Sequence, residues 1–213
     1  MPETREELKR LHKMRYSLYL YLSRAFARVP DGALLALAGD STIAELCRAF
    51  CAEAVELQAI ITREASVTGA QARLTKEFSA VFMGPGEPLI ALWESSYADM
   101  SGLPALREVY RAAGYRAQGY PHDADDHIAT ELCFMAALAE DTATACVKCD
   151  EAERLRLEAI QRDFLQAHLN RWVCAFADAV ERVEGISAFY PTFARFAALL
   201  CMRDPLLPGA DER

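Results

Sequence analysis

The chain has 213 residues, 53% of them hydrophobic and 25% charged, with a formal net charge of -8 at pH 7 and a pI near 5.1. That length can bury a sizeable core, in one domain or two small ones. A net acidic chain lacks the basic face that duplex nucleic acid requires, so nucleic acid is excluded as an expected partner and a basic partner is permitted.

The N-terminal stretch MPETREELKR is charged and carries no apolar signal-peptide core. Thr4 and Glu7 form a T-x-x-E capping box that opens a helix through Phe26, stopping near Pro30-Asp31-Gly32. Arg5, Lys9, Arg10, Lys13 and Arg15 read as a solvated basic face of that helix. Asp31 caps a short helix through Leu37, and Thr42 with Glu45 repeats the capping pattern before a helix continuing from Ile43 to Ile61. Thr68 and Gln71 predict another cap, ahead of Leu74, Phe78, Val81 and Phe82.

Gly84-Pro85-Gly86-Glu87-Pro88 breaks the helical pattern, and LIALWESSYADMSG after it reads as irregular. Ser101 is the expected cap of a helix with Pro104 in its first turn and Gly114 at its end. Residues 115–124 read as a hinge linker. Asp125 or Asp126 is the expected cap of an apolar helix ending near Ala145. A long helical region follows over about 151–183 with a bend near His168-Leu169, then a last helix over about 188–202. No strand alternation occurs. The expected fold is all-α: an N-terminal helical sub-bundle (1–114), the hinge (115–124) and a C-terminal sub-bundle (125–213), together one domain with a cleft where the halves meet.

The stretch DADDHIATELCFM places Asp123, Asp125, Asp126 and His127 at the mouth of a helix entering the core. One aspartate suffices to cap, and neighbouring carboxylates repel, so capping and a binding site both stay open for the cluster. His127 and Glu131 are four apart, but no second histidine–carboxylate pair of the di-iron kind accompanies them, so no metal is expected. Cys146 and Cys149 form a lone CxxC where zinc needs four ligands. The odd count of seven cysteines, several at apolar positions, suits buried thiols in a reducing compartment. Trp93, Glu94, Ser95 and Tyr97 either pin a loop to the core or form an aromatic, acidic cleft wall. P-loop, nucleophile-elbow, zinc-protease and dinucleotide motifs are all missing, which favours a binding protein over an enzyme. No uncharged run approaches the ~20 residues needed to cross a bilayer. The expected location is the cytoplasm, with membrane association at most transient.

Six segments occur in order: LTKEFSAVFMGPGEP, LWESSYAD, LREVYRAAGY, DADDHIATELCFM, QRDFLQAHLNRWVCAF and FYPTFARFAALL. Together they resemble the TorD/DmsD/NarJ family of molybdoenzyme maturation chaperones from about residue 70 to 200. The resemblance implies a TorD-like helical fold and no catalysis. It implies binding of the twin-arginine signal peptide and apo form of a molybdopterin oxidoreductase subunit, with assistance to cofactor insertion before export. The signal-peptide site it implies is Trp93, Ser95, Tyr97, Asp126 and His127, beside the acidic Asp123 and Asp125. Where the family often has proline directly before the D-H element, this chain has Ala124, with Pro121 earlier. An acidic helix mouth beside an apolar wall complements two guanidinium groups followed by an apolar segment. No cofactor is expected. The alternatives are a GTP-responsive switch, which no P-loop supports, and an assembly factor for a non-exported subunit. The expected assembly is a monomer with a minor dimer that exchanges the C-terminal bundle.

Overall fold

The computed structural model describes residues 4–84, 88–101, 105–116 and 125–207. Ten α-helices run through them: α1 (Arg5–Ala27), α2 (Gly32–Ala38), α3 (Ser41–Phe50), α4 (Ala52–Ser66), α5 (Ala70–Phe82), α6 (Leu106–Ala112), α7 (Ile128–Lys148), α8 (Glu151–Phe164), α9 (Asn170–Glu181) and α10 (Phe189–Met202). A 3₁₀ turn covers Glu94–Ser96, and a π-helical segment, Leu165–Leu169, joins α8 to α9. The protein is all-α, as its periodicity predicts.

The most extensive helix pair is α1 against α7. Leu18, Leu22, Ala25 and Phe26 line the inner stripe of α1, while α7 buries residues over most of its circumference. A helix apolar nearly all round belongs at the centre of a bundle, and α7 packs on both α1 and α8. α10 closes the other side against α9 and α4. One hydrophobic cluster runs from Met14 to Leu207 and takes residues from both sides of the predicted hinge. Most of the hinge, residues 117–124, lies outside the described residues.

Local chemistry sets the helix starts. The Thr4–Glu7 capping box forms with both reciprocal bonds, and Asp31 caps α2 through Leu34 N–H. Elsewhere the caps differ from those predicted. Asp40, not Thr42, begins α3, accepting from Thr42 N–H at 2.7 Å. The expected helix from Ile43 to Ile61 is two helices, interrupted by extended backbone at Cys51 (φ -169°, ψ 163°). Gly69, not Thr68, precedes α5, with φ 76°, a left-handed conformation that glycine reaches without Cβ strain. α6 begins at Leu106 after Ala105, not at Ser101, whose N–H bonds the Asp99 carboxylate instead; Pro104 lies outside the described residues. α7 ends at Lys148, beyond the predicted Ala145. The position of the predicted bend, His168-Leu169, falls within the π segment.

The basic face of α1 also needs correction. Arg15 is fully buried. Its guanidinium donates to Asp204 through Nε and Nη2 (3.1, 3.0 and 2.9 Å) and to Gln161 Oε1 through Nη1 at 2.6 Å. Tyr19 O–H donates to the same Asp204 at 2.6 Å. His12 accepts from Arg15 Nη1 at Nδ1 (3.2 Å), which leaves Nε2–H to donate to Glu158 at 3.0 Å. Burial, followed by the Arg15 charge, outweighs Glu158 and lowers the His12 pKa. The network joins α1, α8 and the chain after α10. A buried ion pair contributes little net stability when whole, but losing one partner strands the other charge. Asp204→Asn should therefore destabilise the protein by about 3–5 kcal/mol in urea unfolding, and the double replacement Arg15→Met/Asp204→Leu should recover much of that loss. A single variant within about 0.5 kcal/mol of the parent would show that the pair does not hold α1 to the C-terminal segment.

Candidate functional site

Residues 92–95 return from the Gly/Pro break to lie antiparallel to residues 126–128. Trp93 and His127 form an isolated β-bridge. Ile128 N–H donates to Leu92 O at 2.8 Å, and Glu94 N–H to Asp126 O at 2.9 Å. The Asp126 carboxylate then accepts Ser95 N–H at 3.1 Å. The predicted cap of α7 is corrected here. His127 Nδ1, not Asp125 or Asp126, accepts Ala129 N–H at 3.1 Å, because both aspartates are engaged elsewhere. Asp125 pairs with Arg107 of α6 at 3.0 Å, and its carbonyl accepts Tyr110 O–H at 2.7 Å. The Arg107 side chain is 82% exposed, so this pair holds weakly in water. Asp123 lies outside the described residues.

The structure thus gathers Trp93, Ser95, Asp125, Asp126 and His127 into one small patch. Trp93 is half-buried and the Ser95 side chain exposed. Tyr97 turns toward the core instead: it stacks on Trp172 at 5.6 Å and 22°, and its hydroxyl donates to Ala91 O at 3.0 Å. Burial pushes its pKa up to about 12, so it serves as a neutral donor.

Beneath the patch lies an acidic cluster that sequence reasoning did not assemble. Glu94 is fully buried and accepts from His168 Nδ1 at 3.0 Å. Glu131 is fully buried and accepts from Trp172 Nε1–H at 3.3 Å. One oxygen of each carboxylate, Oε1, has no hydrogen-bond partner among the described residues. Burial, then the charges of Glu94 and Asp126, raise the Glu131 pKa well above the usual carboxylate range, partly offset by the Trp172 bond. The signal was present as HLNRW: the π segment sets His168 under Glu94, and Trp172 follows one turn later. Single-turn π geometry inside helices often marks functional positions.

His168 also lines a groove of about 500 Å³ between α6 and α8. Val109 and Ala113 form one wall, and Ile160, Phe164 and Ala167 the other, with Glu108 and Asp163 beside them. The groove and the patch share two connections: α6, through Arg107 and Tyr110, and the His168–Glu94 bond. The arrangement offers an apolar trough with carboxylates at its edges, which suits an apolar chain bearing positive charge. Among the described residues, no group of three His, Cys, Asp or Glu side chains could hold a metal ion, and no helix is long and apolar enough to cross a membrane. All seven cysteines are free; Cys146 is buried and Cys149 exposed.

The family described as nitrate reductase delta subunit matches residues 43–178, more than half of the sequence. The chain belongs to this family, which includes the TorD and DmsD chaperones; its members are chaperones, not enzymes. The chaperone protein TorD of Vibrio cholerae serotype O1 (strain M66-2) is 27% identical over 212 residues, covering 93% of this chain and 94% of that protein. A protein of Haemophilus influenzae (strain Rd) named probable Tat proofreading chaperone DmsD is 26% identical over 132 residues, covering 59% of this chain and 57% of its own length. No solved structure matches at a significant level.

Glu131 yields a test with a definite sign. A carboxyl whose folded pKa is raised binds its proton more tightly in the native state than in the unfolded chain. Its stabilising contribution is present at low pH and declines as pH rises from the unfolded value toward the folded one. Glu131→Gln keeps an acceptor for Trp172 and removes the titration. Urea unfolding from about pH 5 to about pH 9 should show the variant gaining on the parent as pH rises. Parallel curves would mean that Glu131 does not titrate with a raised pKa.

Proposed function

We propose that the protein is a cytoplasmic chaperone that binds the twin-arginine leader and apo form of a molybdopterin oxidoreductase subunit, assisting cofactor insertion before export. The observation that carries this reading is the apolar groove between α6 and α8, edged by Glu108 and Asp163 and tied through His168–Glu94 to the Trp93–His127 patch. A leader peptide combines guanidinium groups with an uncharged apolar stretch, and this surface complements both. Guanidinium pairs bidentately with carboxylate, which favours arginine over lysine. The names of the relatives, one of them a Tat proofreading chaperone, agree with the reading.

Within the patch, Asp126 and His127 act by holding the loop at 92–97, since their side chains already bond within the fold. Trp93, Ser95 and Asp125 form its accessible rim, and the Asp125–Arg107 pair ties that rim to α6. Carboxylates at the groove would repel the phosphates of a nucleotide, so the reading gives GTP no role.

Calorimetric titration of the full chain with the client's leader peptide tests the proposal. Affinity should fall as NaCl rises from about 50 to about 500 mM, because the pairs lie near the surface. Replacing both leader arginines by lysine should weaken binding. Trp93→Ala should weaken it with little change in the salt slope. A leader that does not bind, or that binds equally well with its arginines replaced by alanine, contradicts the proposal.

A further inference from the structure

The leader-binding reading leaves open where the paired arginines go, and this inference rests on that reading. Acidic side chains elsewhere on α8 and at the start of α7 are engaged: Glu151 and Glu158 pair with Arg154, Glu153 with Arg156, and Asp125 with Arg107. Glu108 on α6 and Asp163 on α8 differ. Both are exposed, both line the groove, and neither makes an ion pair or side-chain hydrogen bond among the described residues. They stand on separate helices that face each other across the apolar floor. Arg107, Arg111 and Arg162, on the same two helices, are not among the lining residues.

A third group points the same way. His168 lines the groove while being 2% exposed. Its Nδ1 meets the Glu94 carboxylate, and in the neutral imidazole that bond places the proton on Nδ1 and leaves Nε2 as an acceptor. Its Nε2 has no hydrogen-bond partner among the described residues. The groove therefore offers one acceptor at its floor and one carboxylate on each wall.

Consecutive side chains of an extended chain project to opposite sides, whereas a helix turns only about 100° per residue and keeps neighbours on adjoining faces. An Arg-Arg pair lying extended along the groove would send one guanidinium to each wall. We propose that the groove binds the twin arginines in extended conformation, one paired with Glu108 and the other with Asp163. The backbone N–H between them reaches His168 Nε2, and the apolar residues that follow cover Val109, Ile160 and Phe164. The arrangement gives each arginine its own helix, and it distinguishes Arg-Arg from Arg-Ala-Arg, whose arginines fall on the same side.

The test is a set of double-mutant cycles on the full chain, pairing Glu108→Gln and Asp163→Asn with leader peptides in which the first or the second arginine is alanine. Both side chains are exposed, so thermal melts should match the parent. Each protein variant should weaken binding of the Arg-Arg peptide by about five- to tenfold. Each carboxylate should couple to a different arginine, so that its loss has no further effect once that arginine is gone. An Arg-Ala-Arg peptide should bind more weakly than Arg-Arg. If the parent binds the leader and neither variant changes its affinity, the groove assignment is wrong while the leader reading stands. Coupling of both carboxylates to the same arginine would overturn the extended arrangement. If the parent fails to bind the Arg-Arg peptide, the leader reading falls, and this inference with it.

Discussion

The short backbone bridge between residues 92–95 and 126–128 is the constraint from which the site follows. Two main-chain hydrogen bonds and the Asp126–Ser95 contact fix an irregular loop to the start of α7. Once the loop is fixed, Glu94 can point only inward. A carboxylate carried into the core must be met by donors, and His168 meets it. His168 lies in the π segment between α8 and α9, which carries the imidazole to Glu94 of the loop. The same imidazole forms part of the groove, so the backbone bridge and the groove are mechanically joined.

The carboxylates divide into three kinds by environment. Glu94 and Glu131 are buried and shape the interior. Asp125 and Asp126 are committed to Arg107 and Ser95 and shape the loop. Glu108 and Asp163 are exposed, uncommitted and positioned over apolar surface. The DADDH stretch draws the eye because its charges are adjacent in sequence, yet its described aspartates are used inside the fold. The acidic groups free to meet a partner lie on different helices, 55 residues apart in the chain. Away from the site, the Arg15–Asp204 network plays the comparable structural part, tying the first helix to the segment after the last one.

The all-helical class, the Thr4 and Asp31 caps, the irregular 89–101 stretch and the break in regular α-helix near 168–169 were legible because each depends on residues close in sequence. The missed features depend on distant partners or on backbone geometry. Arg15 sits in a run of basic residues and reads as solvated; its burial depends on Asp204, 189 positions away. Asp126 reads as a cap, but Ser95 N–H claims its carboxylate from 31 positions upstream. His127 then caps α7 in a role usually filled by Ser, Thr, Asp or Asn, since a neutral imidazole also offers an acceptor two residues before Ala129 N–H. The break at Cys51 carries no glycine or proline to announce it. The structure gathers Trp93, Ser95, Asp125, Asp126 and His127 into one patch, a grouping that only the family resemblance implied, and turns Tyr97 away from it. The groove was not legible, because it is made by two helices whose approach only the tertiary fold defines.

The central claim is that the peptide lies in the α6–α8 groove and that the Trp93–His127 patch holds that groove's floor in place. Photocrosslinking is its most direct measurement. A leader peptide carrying a photoreactive phenylalanine directly after the second arginine would be irradiated on the full chain and the adducts located by mass spectrometry. The account predicts adducts on α6 and α8, at Val109, Ile160 or Phe164. Adducts confined to residues 93–97, with α6 and α8 unmarked, would contradict it.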